Sequence, residues 1–147
     1  MSRMIYETDR AEATFALGKQ LGEKAGAGDV YCLDGDLGTG KTVLTQGFAA
    51  GLGITEPVCS PTFTIVCEYE GGRLPFYHFD VYRIEEPEEM EEIGYEEYFY
   101  GAGAVMIEWA SLVRELIPEN AVWIRIEKDP EKGFDYRRIT VEGKEWR

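Results

Sequence analysis

Gly35-Asp36-Leu37-Gly38-Thr39-Gly40-Lys41-Thr42 fits the glycine-rich phosphate-binding pattern G-x-x-x-x-G-K-[S/T]. The chemistry of that pattern is narrow. Glycines let consecutive backbone N–H groups turn inward around a phosphate chain. Lys41 can reach the outer phosphates and the Thr42 hydroxyl can ligate magnesium. A helix starting there would point its positive end at the same phosphates. A glycine-rich turn ahead of a helix is the plainer alternative. The flanks favour the phosphate loop: Val30-Tyr31-Cys32-Leu33 reads as a short apolar strand leading in, and Leu44, Phe48 and Leu52 recur at helical spacing leading out.

The 147 residues suit one domain with a real core, and 44% of them are apolar. No apolar run approaches the roughly 20 residues that cross a bilayer, and Met1-Ser2-Arg3-Met4-Ile5-Tyr6 lacks the apolar stretch of a signal peptide. Cys32, Cys59 and Cys67 show no C-x-x-C spacing. Cys32 and Cys67 fall in strand-like runs and read as buried thiols, so a cytoplasmic location is expected. The net charge is −13, and residues 85–97 hold eight glutamates without a Lys or Arg. A chain this acidic repels a nucleic-acid backbone. The glutamate run reads first as a solvated helix face, with a docking surface for a basic partner as the alternative.

Along the chain, Thr8 or Asp9 is placed to cap a first helix reaching about Ala25, with Gly26 and Gly28 as its stop. The helix after the phosphate loop runs to about Gly53, ended by Gly51 and Gly53. Phe63 to Glu70 and Arg73 to Asp80 form an expected hairpin around Gly71-Gly72, in which Pro75 weakens the second strand or puts it at an edge. Pro87 opens the acidic helix. Ala104 to Ile107 reads as a strand and Trp109 to Leu116 as a short helix. Ala121 to Glu127 and Tyr136 to Val141 read as a final strand pair. The expected fold is α/β: a single P-loop NTPase-like domain whose mixed sheet is parallel near the loop, antiparallel beyond it, and flanked by helices.

Hydrolysis needs more than a phosphate loop: carboxylate help for magnesium and a group that orients water. Glu108 ends the run Ala104-Val105-Met106-Ile107, and Asp80 ends Phe76-Tyr77-His78-Phe79. Open α/β sheets place ligand chemistry at the carboxyl ends of such strands. Either acid alone could simply cap the next element; two beside a phosphate loop point to a site. His78, the single histidine, reads as a structural residue among aromatics, and one histidine without a thiol cluster argues against zinc. Ser60-Pro61-Thr62-Phe63 stands where switch proteins order a segment around the terminal phosphate. Thr62 could offer hydroxyl or backbone to magnesium or water, or simply lie in a strand-entry turn. Trp109 could stack on a base, cover the site, or be core.

These segments resemble the TsaE family, bacterial P-loop ATPases of tRNA threonylcarbamoyladenosine synthesis. The resemblance rests on Asp34 to Thr42, Ser60 to Phe63, Tyr77-His78-Phe79-Asp80-Val81-Tyr82-Arg83 and Ile107-Glu108-Trp109, in matching order across about residues 5 to 117. It implies binding and hydrolysis of ATP with Mg2+, in support of TsaB and TsaD, which transfer a threonylcarbamoyl group to the adenosine beside the anticodon. ATP contacts would come from Asp36, Leu37, Gly38, Thr39, Gly40, Lys41, Thr42 and Val43, with Trp109 beside the site and Thr8 and Lys132 at the base end. Thr42, Glu108 and Asp80 would hold metal. Lys41, Asp80, Glu108 and the switch residue Thr62 would carry catalysis. Partners, not this acidic chain, would supply the tRNA surface, and no membrane is involved.

Other readings are a GTPase, a small-molecule kinase and a non-hydrolysing nucleotide sensor. The chain carries no N-K-x-D-type guanine-reading segment. An Arg-rich lid is also missing, since Arg137-Arg138, the adjacent arginine pair, lies in an expected strand. A sensor would keep the loop and show no turnover even with partners.

Overall fold

Val30, Tyr31, Cys32 and Leu33 are all buried, as a strand covered on both faces requires. In the computed structural model, which describes residues 2–36, 38–58 and 65–143, they form β2 (Val30–Gly35), the middle strand of a seven-stranded sheet. The other strands are β1 (Ser2–Thr8), β3 (Val66–Tyr69), β4 (Phe76–Asp80), β5 (Ala104–Glu108), β6 (Val122–Lys128) and β7 (Arg137–Gly143). Their spatial order is β1-β7-β6-β2-β5-β4-β3. Pairing is parallel for β6-β2, β2-β5 and β5-β4, and antiparallel for β1-β7, β7-β6 and β4-β3. The mixed sheet is therefore parallel next to the glycine loop and antiparallel outside it.

Two layers cover the sheet. Helices α1 (Ala11–Lys24) and α2 (Lys41–Gly51) pack Leu17, Leu21, Leu44 and Phe48 on one face, against Leu33, Met106 and Ile124. On the other face, α3 (Glu88–Glu92), α4 (Tyr95–Phe99) and a 3-10 helix (Ala110–Leu116) bring Met90, Phe99 and Val113 onto Cys32, Val105 and Ile107. Each fully buried Leu or Phe of this kind stabilises the fold by about 1.5–3 kcal/mol.

α1 and α2 lie unusually close because both carry glycines where they cross. A methyl group added at Gly18 would sit 2.2 Å from the Leu44 carbonyl oxygen, and one at Gly47 would sit 2.1 Å from that of Phe15. Gly51 behaves the same way against Lys19, so it is the last helical residue of α2 and a packing position rather than a stop. The turn that follows uses Gly53 at φ 86°. α1 ends at Lys24 under a distant cap: Arg73 Nη2 donates to the carbonyls of Gly22, Glu23 and Ala25 at 2.7, 3.0 and 2.7 Å.

Several sequence expectations change. Residues 2–8 form an edge strand, paired from Ser2↔Gly143 to Thr8↔Arg137, which no local signal announces because its partner lies at the other end of the chain. α1 consequently starts at Ala11 behind an extended Arg10, without a side-chain cap from Thr8 or Asp9. Pro75 does not place its strand at an edge. β4 begins at Phe76, just past the proline, and lies between β5 and β3. The acidic segment is two short helices, broken at Gly94 (φ 71°), and its glutamates face solvent except Glu89. Glu89 turns back to accept N–H bonds from Glu85 and Glu86 at 2.7 and 2.9 Å. Cys32 is buried as expected, whereas Cys67 is only half-buried on edge strand β3, and Cys59 lies outside the described residues.

The helix crossing makes a direct prediction. Gly47→Ala drives a methyl into backbone that cannot rotate away, so urea unfolding should show a loss of about 3 kcal/mol, the upper end for overpacking. Gly71→Ala, with nothing within 4 Å of the added methyl, should leave the midpoint nearly unchanged.

Candidate active site at the carboxyl edge of the parallel strands

β2 delivers Gly35 to the carboxyl edge of the sheet, where the loop turns upward into α2. Gly35 has no room for a side chain: a Cβ would lie 2.8 Å from the Ile126 carbonyl and 2.9 Å from Thr39 Oγ1. Gly38 (φ 77°) and Gly40 (φ 103°) adopt left-handed backbone that other residues enter only at a cost. Thr39 braces the turn, its hydroxyl donating to the Asp36 carbonyl at 2.8 Å. Arg137 of β7 holds the loop from outside. Its Nε donates to the Thr39 carbonyl at 2.7 Å and its Nη2 to that of Gly38 at 3.4 Å, while Nη1 is anchored on the carbonyls of Phe134 and Tyr136. Arg137 thus holds two carbonyls of the loop, which ends at the positive end of α2.

Lys41 opens α2 and is buried, with Nζ donating to the carbonyls of Gly35 and Asp36, the latter at 3.2 Å. The same ammonium sits 4.1 Å from the centre of the Trp109 ring, a cation–π contact that adds to its hold on the site. Burial pushes the Lys41 pKa below its ordinary value, against the opposing pull of Glu108, Asp80, Asp34 and Asp36. The lysine therefore packs more than a purely electrostatic role would require.

The two strand-end acids are neighbours. β4 and β5 pair in parallel with Asp80 opposite Glu108, and β2 brings Leu33 opposite Glu108 from the other side. Glu108 is buried, 3% exposed, which excludes a surface cap. Its Oε2 lies 2.6 Å from His78 Nε2. Asp80 is half-buried and accepts the Tyr82 N–H at 3.0 Å. Burial raises the Asp80 pKa first, Glu108 adds to the rise, and the Tyr82 N–H, His78 and Lys41 oppose it. Trp109 follows Glu108 directly. Its φ of 64° is left-handed, which costs a residue other than glycine about 1 kcal/mol or more. The strain is held by its N–H bond to Leu33 (3.1 Å) and by ring contact with Tyr82 (4.9 Å between centroids). Trp109 is half-buried: its ring covers Lys41 and also packs against the apolar cluster of the sheet's other face.

Thr42 and Val43 occupy the first turn of α2. Val43 also lines a cavity of about 130 Å³ on the outer flank of the loop, with Gly38, Thr39, Arg10, Thr14 and Arg137. Thr8 reaches that flank only through Thr14, the two hydroxyls lying 2.8 Å apart. Lys132 stands near the same end of the sheet, 3.5 Å from Glu7 and over the Tyr136 ring. Leu37 and Thr62, with the rest of 59–64, lie outside the described residues. Two contributors escape sequence reading. Arg137 is 98 residues from the carbonyl it binds and gives no local signal. His78 could have been suspected from its two-residue spacing to Asp80, which puts both on one face of a strand.

Comparison with known proteins gives the family and the fold. The family model described as "Threonylcarbamoyl adenosine biosynthesis protein TsaE" matches residues 8–139. This chain belongs to the TsaE family. A Bacillus subtilis protein named tRNA threonylcarbamoyladenosine biosynthesis protein TsaE is 48% identical over 140 residues, 95% of this chain and 85% of its own length. A Nostoc protein of the same name is 52% identical over 110 residues, 72% of this chain and 67% of its own. The crystal structure of B. subtilis YdiB superposes with a TM-score of 0.83 at 42% identity, covering 97% of this chain and 86% of that one. The TsaE match encloses Lys41, Asp80, Glu108, Trp109 and the loop-clamping Arg137.

The raised Asp80 pKa yields a second prediction. Its carboxyl holds a proton more tightly in the folded chain than in the unfolded one, so protonation favours folding and ionisation opposes it. The penalty is absent below the ordinary carboxylate range and grows as pH rises through the folded pKa. Asp80→Asn, which keeps an oxygen for the Tyr82 N–H, should raise the melting temperature at pH 7, and the gain should vanish in a melting series taken down through the acid range.

Proposed function

We propose that this TsaE-family chain binds ATP with Mg2+ and hydrolyses it in support of TsaB and TsaD, whose threonylcarbamoyl transfer modifies the adenosine beside the tRNA anticodon. The observation that carries this reading is the meeting of Lys41, Asp80 and Glu108 at the mouth of a glycine loop that heads a helix. A lysine and two carboxylates beside a glycine loop at a helix N-terminus form a donor set suited to a metal–triphosphate.

In this reading the loop N–H groups cradle the phosphate chain. Lys41 exchanges the carbonyls of Gly35 and Asp36 for phosphate oxygens. Thr42 and Glu108 are the residues that would hold magnesium, with Asp80 beside them. The ion, when bound, neutralises charge developing on the phosphates. Asp80, with its raised pKa, accepts a hydrogen bond from the attacking water. That water's oxygen bonds to the terminal phosphorus, the bond to the bridging oxygen breaks, the water's proton passes to Asp80 and from it to solvent, and ADP and phosphate leave. The net charge of −13 supports a reading in which the partners contact the tRNA. Arg83 is the one arginine in the recognised motifs; charge on the transferring group would otherwise be met by a partner.

The test is ATP turnover by the chain alone and with TsaB and TsaD. Slow basal hydrolysis that quickens with the partners is expected. Glu108→Ala and Asp80→Ala should each lower turnover by about a hundredfold and ATP affinity much less. Lys41→Met, which keeps the buried stem, should lose both in a folded protein. Turnover indifferent to these changes, or tight salt-sensitive tRNA binding by this chain alone in a gel shift, would overturn the assignment.

A further inference from the structure

His78 has no part in the chemistry above, yet it is the residue bonded to Glu108. The chain has one histidine. It lies in β4, two positions before Asp80 and on the same face of the strand. Nε2 is 2.6 Å from Glu108 Oε2, and the two side chains are 1% and 4% exposed. The ring stacks nearly parallel on Phe76, 6.1 Å between centroids and 6° between planes. Its other nitrogen, Nδ1, is buried without a hydrogen-bond partner among the described residues.

These contacts assign the proton. A carboxylate oxygen accepts and an imidazole N–H donates, so the bond to Glu108 calls for a hydrogen on Nε2, while Nδ1 lies buried among apolar groups without a partner among the described residues. Packing alone does not account for a histidine here. Phenylalanine would stack on Phe76 equally well and would bury no orphan nitrogen. The group that uses the imidazole is Glu108.

We propose that His78 is a positioning residue for Glu108. Its Nε2–H holds Oε2 and so fixes the carboxylate's rotation, leaving the second oxygen presented to the divalent cation that accompanies ATP. The inference rests on the reading above, in which Glu108 is a ligand of that cation. A free glutamate would have to give up side-chain rotation when the ion arrives; one already held by a buried donor has done so beforehand. The ring itself cannot contact nucleotide, because its only exposed fraction is 1%.

Four proteins test it: wild type, His78→Leu, His78→Asn and His78→Gln. The glutamine amide nitrogen reaches the place of Nε2, the asparagine amide falls short of it, and leucine has no donor. Two titrations are made on each full-length protein. A fluorescent ATP analogue is titrated in EDTA, and Mn2+ is then titrated into the nucleotide complex with free Mn2+ read by its electron paramagnetic resonance. Leu and Asn should weaken Mn2+ by about tenfold or more, the usual effect of losing a group that orients a metal ligand. Gln should restore most of that affinity, and metal-free nucleotide binding should stay constant throughout. Should His78→Leu not fold, His78→Asn, which keeps a polar side chain, carries the comparison. Equal Mn2+ affinity in wild type and variants, or Gln no better than Leu, overturns the role of His78 while the Mg–ATP reading stands. Wild type that takes up neither nucleotide nor Mn2+ overturns both.

Discussion

The parallel register of β2, β5 and β4 is the constraint on which the rest of this molecule depends. Leu33 pairs with Glu108, and Glu108 with Asp80. A slip of one residue between β2 and β5 would turn Glu108 to the opposite face of the sheet. It would then leave Lys41 and His78 and point toward the layer of α3, α4 and the 3-10 helix. The register is strongly held because all three strands are lined with large apolar residues on both faces. Cys32, Val105, Ile107 and Phe79 cannot exchange faces with Leu33, Met106 and Phe76 without unpacking two layers at once.

That same burial creates the electrostatic character of the site. Glu108 is carried below the surface by a strand whose five residues are all buried. A buried carboxylate is costly unless it is paired and hydrogen-bonded. Lys41 supplies the opposing charge and His78 the hydrogen bond. The Asp80 carboxylate, half-buried beside them, has only the Tyr82 N–H as a direct hydrogen bond among the described residues, and burial raises its pKa. A dense anionic pocket around one cation is poorly balanced in isolation.

The helices and the outer strands set the loop rather than the acids. Glycines at the α1–α2 crossing draw α1 close to α2, which carries the start of α1, with Arg10 and Thr14, to the flank of the loop. β7 reaches the same flank because it pairs with both β6 and β1, and its first residue, Arg137, grips the loop carbonyls. Without these long-range anchors the loop would be a string of glycines free to sample many shapes.

The sequence by itself determined the strand–loop–helix unit from Val30 to Leu52, the strand-end position of both acids, and the alternation of elements that makes an α/β fold. Those are local matters: apolar periodicity, glycines at turns and a fixed motif spacing depend on near neighbours. The tertiary structure alone decided what is non-local. It made residues 2–8 a strand, since an edge strand exists only once β7 is there to pair with it. It set Pro75 outside an interior strand instead of at an edge, and it left Cys67 half-exposed on β3 because strand order is not written in any one strand. It also turned His78 from a residue among aromatics into the hydrogen-bond partner of Glu108, and Arg137 from half of an arginine pair into the clamp of the loop. In both cases the partner is brought near only by sheet register, and the free energy that fixes register is the burial of two apolar faces summed over many residues.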